Sequence, residues 1–123
     1  MNSPVADITI HAAYASVVED DEEGMLFIGF AQGEEEDEPY ALFRQPLSGG
    51  PIWFAVNDED FGADDAVQSI ARDAKGLTIT LRPEHVASFG WAATVAIRIG
   101  PQTEDAEQAI DALHEIFGDI FPA

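Results

Sequence analysis

Cysteine is absent from this chain, which excludes a thiolate nucleophile, a Cys-ligated zinc and a disulfide frame. Cations are scarce: four Arg and one Lys stand against 24 acidic residues, a formal net charge of −19 in 123 residues. A field of that sign attracts cationic surfaces and repels nucleic acid, so DNA and RNA are not expected partners. Long apolar runs are missing as well. The longest stretch, residues 25–31, is far short of a bilayer span, and no membrane partner is expected. The start Met1-Asn2-Ser3-Pro4 carries no basic n-region, so the chain reads as unsecreted and cytoplasmic.

What is present is material for a core. Apolar residues make up 46% of the chain and aromatics 10%, unlike the acidic disordered tails that cannot bury enough surface to fold. The length suits a single domain, residues 1–123. Ile8, Ile10, Ala12 and Tyr14 alternate with polar or small residues, the period of a half-buried strand, which points His11 to solvent. Residues 25–31 and 52–56 are apolar on both alternations, so these strands are expected to be central and covered on both faces, with Phe27 and Trp53 on the second face. Residues 40–45 form a third strand between them, ended by Pro46 and the turn Leu47-Ser48-Gly49-Gly50-Pro51.

Residues 66–74 read as a weaker strand, and Lys75-Gly76 turns the chain into Leu77-Thr78-Ile79-Thr80-Leu81, with its threonines on the wet face. Pro83 opens a short helix over 84–89, stopped by Gly90 in the left-handed position. In the next strand Val95, Ile97 and Ile99 face in, and Thr94 and Arg98 face out. Thr103 is read as an N-cap, with Glu104 and Asp105 in the first turn. Ala106, Ala109, Ile110, Leu113, Ile116 and Phe117 then recur at helical spacing up to Gly118. The fold class expected is α+β: a mostly meandering antiparallel sheet of about six to seven strands, a short helix, and one C-terminal amphipathic helix packed on one face. The second apolar face then needs curvature, a loop or a second subunit, and homodimerisation is one expectation.

The acids are concentrated. Glu34, Glu35, Glu36, Asp37 and Glu38 form one run, Asp58, Glu59, Asp60, Asp64 and Asp65 a second, and Glu19, Asp20, Asp21, Glu22 and Glu23 a third. Alternate connections of a meander share an end, so the first two runs are expected as loops at one pole and the third at the other. Clustered carboxylates repel one another, so a partner is one reason for them; solubility and adaptation to high salt are the others. No metal site is expected: an EF-hand loop started at Asn57 has Phe61 fifth and Gln68 twelfth, and only Gly62 fits.

Catalytic signatures are missing too. His11, His85 and His114 are scattered and form no HExxH pair. No Gly-x-Ser-x-Gly elbow, phosphate loop or dinucleotide fingerprint occurs, so neither catalytic residues nor a cofactor are assigned. The expectation is a protein that is not an enzyme.

From Trp53 onward the succession of segments resembles the immunity protein 10 family of bacterial polymorphic toxin systems. The likeness rests on Trp53-Phe54-Ala55-Val56-Asn57-Asp58-Glu59, on Phe61-Gly62, on the strands around Leu77–Leu81 and Val95 to Ile99, on Pro83 to Gly90, and on the closing helix through Ile116-Phe117. Where such proteins tend to carry an aromatic-Gly-Gly-aliphatic turn, this chain has Phe61-Gly62-Ala63-Asp64-Asp65-Ala66-Val67. The resemblance implies a cytoplasmic antitoxin that binds a cognate toxin domain and blocks it without chemistry. The two acidic runs, Glu34 to Glu38 and Asp58 to Asp65, are then the expected contact with a basic toxin. The competing expectation is a self-associating structural or regulatory domain that works through its apolar sheet face.

Overall fold

The computed structural model describes residues 7–33 and 38–121. In chain order these form β1 (Ile8–Asp20), β2 (Met25–Ala31), β3 (Tyr40–Pro46), β4 (Trp53–Val56), β5 (Asp58–Asp64), β6 (Val67–Asp73), β7 (Gly76–Leu81) and β8 (Thr94–Glu104), followed by α1 (Ala106–Phe117). Short 3-10 segments lie at Pro83–Phe89 and Gly118–Ile120. All eight strands join one sheet in the order β5-β4-β3-β2-β1-β8-β7-β6. Every neighbouring pair is antiparallel except β1 and β8, which run parallel. The α+β class and the C-terminal helix therefore hold, whereas the strand number rises from the expected six or seven to eight.

Chain length forces the sheet to curl. Strands β5 and β6 are its two edges, about 34 Å apart if eight strands lay flat at about 4.8 Å spacing. Yet only Asp65 and Ala66 separate them in sequence, a link that reaches about 11 Å at most. The sheet accordingly bends into a half-barrel. Segment Pro83–Phe89 sits against the edge strand β5, and Phe89 stacks on Phe54 with ring centroids 5.7 Å apart. Gly90 ends that segment at φ 66, the left-handed geometry read from the sequence.

The concave face holds the core. Ile10 and Ala12 from β1, Ile28 and Phe30 from β2, Phe43 from β3, and Phe54 and Val56 from β4 are buried there with Ile79 of β7 and Val95 and Ile97 of β8. Helix α1 lies in the trough against β1 and β2 and buries Ala109, Ile110, Leu113 and Phe117, the stripe that the spacing predicts. Phe43 is the centre of the aromatic cluster: it stacks on Phe54 at 4.7 Å and meets Phe30 and Phe117 edge-on at 6.4 and 5.7 Å. Among the described residues, every buried one in the core is apolar.

Three local expectations are overturned. Strand β1 slips register with β8 between Ala12 and Tyr14, a bulge that reverses the alternation. Tyr14 thus faces out, 40% exposed, and Ala15 takes the inward place. The helix starts later than its Thr103 cap reading: β8 continues through Glu104, Asp105 takes a left-handed φ of 59, and Glu107 is the acid of the first turn. Thr103 Oγ1 is already engaged, donating to the Ala12 carbonyl at 2.7 Å and accepting from Gly100 N–H at 3.0 Å. Finally, the second acidic run is no loop, because its residues 58–64 form edge strand β5.

Candidate functional site

The convex side of β1–β5 carries apolar residues that the helix, on the other side, does not reach. Cross-strand partners on this side are Tyr14 with Ala31, Ser16 with Gly29 and Val18 with Phe27, then Phe27 with Arg44 and Gly29 with Leu42, and Arg44 with Trp53. Val18 is 50% exposed, and Met25, Phe27, Leu42 and Trp53 are half-buried by their neighbours alone. Above Gly29 the absence of a side chain leaves a dimple of about 270 Å³ edged by Tyr14, Ser16, Leu42, Tyr40 and Glu38. Trp53 and Phe27 were legible on this face from the double alternation, whereas Tyr14 was concealed by the bulge.

The face is ordered by close backbone approaches. The Trp53 indole lies across Gly62 of β5, where an added Cβ would stand 2.5 Å from the ring and 2.8 Å from Ala55 Cβ. The Arg44 guanidinium sits 5.1 Å from the Trp53 ring centre, a cation–π contact on the strand opposite. Glycine at 62 is thus what lets the indole lie flat along the sheet.

Acids border this face at both ends, but the second run does not stay whole at the end of the first. Gln32 N–H donates to the Pro39 carbonyl at 2.9 Å, and Tyr40 exchanges hydrogen bonds with Asn57, whose side-chain oxygen accepts from Tyr40 N–H at 3.0 Å. The β2–β3 connection and the β4–β5 turn therefore share an end, as the meander reading expects. Glu34, Glu35, Glu36 and Asp37 lie outside the described residues. Glu38, just beyond them, packs its carboxylate on Gly33. Asp58 pairs with Val56 at this end, and Glu59 and Asp60 follow it into β5.

Asp64 and Asp65 are carried to the other end. Asp64 pairs with Trp53, Asp65 N–H donates to the Ile52 carbonyl at 2.9 Å, and the Asp65 carboxylate lies 3.7 Å from Arg82. The turn after Asp20 is at that same end, since Leu47 N–H donates to Gly24 at 2.8 Å. Strand β5 has divided the second run, so Asp64 and Asp65 join the end that holds the turn after Asp20 instead of standing opposite it. Asp20 caps its own turn, its Oδ1 accepting from Glu22 and Glu23 N–H at 3.0 and 3.1 Å.

The chain matches no protein-family model, no curated protein and no solved structure.

Among the described residues no three His, Asp or Glu side chains converge as a metal site requires. The histidines stay apart: His11 is exposed on β1, His85 lies in Pro83–Phe89, and His114 stacks on Phe121 at 3.8 Å, with its Nδ1 2.8 Å from the Phe121 carbonyl oxygen. No helix among the described residues is long and apolar enough to cross a membrane. What the convex face offers is contact area with charge at its margins.

Proposed function

We propose that the protein is a binding protein of the immunity type, which occludes a basic partner protein through the convex face of β1–β5. The observation that carries this reading is the row of outward apolar residues Tyr14, Val18, Phe27, Leu42 and Trp53, with acids at both ends of the strands that bear them. Apolar contact at the centre and charge at the rim is the usual division of labour in a specific interface: the first sets affinity, the second steers encounter and rejects wrong partners. The resemblance to the immunity protein 10 family points the same way and makes the partner a toxin domain acting in the cytoplasm.

The same face could join two copies of the chain. Net charge argues against it: each copy carries −19, and facing copies would bring like-charged rims together, whereas a basic partner turns the same charge into attraction. The test is co-purification with the protein encoded by the neighbouring reading frame, followed by binding kinetics. A stoichiometric complex is expected, lost or weakened at least about tenfold by Trp53→Ser or Val18→Asp, as befits residues at the centre of an interface. Replacing Glu34, Glu35, Glu36, Asp37 and Glu38 with their amides is expected to slow association and flatten its salt dependence while dissociation changes little. Failure to form any complex, together with a dimer that Trp53→Ser dissolves, would replace this reading with self-association.

A further inference from the structure

The few cations of this chain are not spread evenly. Arg72 pairs with Glu107, Arg82 with Asp65, and Arg44 lies over Trp53. Among the described residues Lys75 and Arg98 form no ion pair, although the chain offers 24 carboxylates. Both line the same cleft, of about 610 Å³, on the outer side of β1 and β8, and His11 lines it with them. No carboxylate contributes to its wall.

The cleft is built by backbone features and not by chance proximity of long side chains. Gly76 pairs with Arg98, and His11 pairs with Arg98 from the other side, so β1 and β8 set His11 and Arg98 side by side about 5 Å apart, with Lys75 in the turn that enters β7 next to them. Gly76 has a φ of 136, and an added Cβ would collide with the backbone of β8 at Ile97 and Ile99; only glycine permits this approach. It lets the Lys75 carbonyl accept from Ile99 N–H at 2.9 Å, which holds Lys75 beside β8. The wall comes from the irregularity of β8: Ala12 pairs with Ile99 but Tyr14 pairs with Glu104, so Gly100, Pro101 and Gln102 are extruded from the ladder. Thr103 pins the base of that extrusion through its bonds to Gly100 N–H and the Ala12 carbonyl. Bulges of this kind re-aim side chains and open sheets at sites of use. The nearest acid in sequence, Asp73, is occupied by its own turn, accepting from Lys75 N–H at 2.7 Å.

We infer that this cleft is a binding site for a small polyanion, a ligand bearing a phosphoryl or polycarboxylate head with a compact body against Pro101 and the small side chain of Ala13. Arg98 on β8 and Lys75 in the turn before β7 supply charge-assisted donors, His11 a third donor, and Gln102 an amide at the rim. The volume suits a small molecule. A nucleic acid would meet the repulsion of the whole molecule beyond this one cleft. The cleft shares no residue with the apolar row Tyr14, Val18, Phe27, Leu42 and Trp53, so it stands or falls independently of the proposed partner.

The test is titration of the intact chain with pyrophosphate and, separately, citrate in 0.15 M NaCl, where long-range repulsion is screened beyond about 8 Å. Amide resonances of residues 98–100, 102, 103 and 11–13 are read by two-dimensional NMR, with heats measured in parallel. The expected result is saturable shifts confined to those residues with a Kd below about 1 mM. Lys75→Ala and Arg98→Gln should each weaken binding about tenfold, and Arg72→Ala, outside the cleft, should leave it unchanged. Tighter binding of pyrophosphate assigns a phosphoryl ligand, and tighter binding of citrate a polycarboxylate. Shifts by neither anion, or shifts that survive Lys75→Ala in a chain whose spectrum shows it folded, overturn the inference.

Discussion

Gly62 shows how much of this molecule is decided by a single missing side chain. Its hydrogen atom sits where Cβ would press into the Trp53 ring and Ala55, and neither neighbour is a flexible chain end that could swing aside. Gly62→Ala should therefore cost about 1–3 kcal/mol through overpacking, measured by urea denaturation. It should also displace the indole from beneath Arg44, visible as a change in tryptophan fluorescence. An unchanged midpoint and spectrum would mean that the sheet edge yields freely. The sequence placed Trp53 on the outer face because its strand is apolar on both alternations, but it carried no sign that residue 62 lay beneath. Tyr14 is the converse case. A period of two assigns it inward, and one bulge at Ala12 reverses that, because bulges depend on the partner strand and leave no mark on hydrophobic alternation.

Among the elements, α1 was the most legible. Ala109, Ile110, Leu113 and Phe117 fall on one side at helical spacing, and all four are buried against the sheet. Leu113 is fully buried in the trough, so Leu113→Ala is expected to lower stability by about 2–5 kcal/mol, read from chemical denaturation. A loss under about 1 kcal/mol would place the helix outside the cooperative core. Thr103 is a good cap by type, yet its hydroxyl is spent on Gly100 and Ala12, and the helix starts only at Ala106. Strand β5 was hidden for a related reason: acids signal a loop by composition, but Asn57 at φ 65 reverses the chain tightly enough to pair Asp58 with Val56. Tertiary pairing then overrides the poor strand propensity of Asp and Glu.

For the whole molecule, charge is the dominant variable. A chain of −19 repels itself in the compact state more than in the expanded one, and salt screens the difference. The melting temperature is expected to rise by a few degrees, about 3–8 °C, between 10 mM and 0.15 M NaCl, measured by circular dichroism. Most of the gain should arrive by physiological salt if the acids serve recognition, whereas a continued steep rise into molar KCl would mark adaptation to brine. Composition and alternation made the fold class and the inner core legible, but not the closure of the sheet. The pairing of β1 with β8 is tied at its start by Asp7, whose carboxylate accepts from Ala93 and Thr94 N–H at 2.8 and 3.3 Å while its own N–H donates to Thr94 Oγ1 at 3.2 Å.

The parallel pairing of β1 with β8 has a consequence for the growing chain. Asp7 and Thr94 are 87 positions apart, so a ribosome releases β1 through β5 well before the strand that must cover the open edge of β1 exists. Until then the nascent meander exposes an unpaired, apolar ladder, the kind of edge that recruits other chains. Its acids, emerging early in the turn after Asp20, give neighbouring nascent chains a reason to stay apart. Closure of so long a loop makes the last step of folding non-local and slow for a chain of this size.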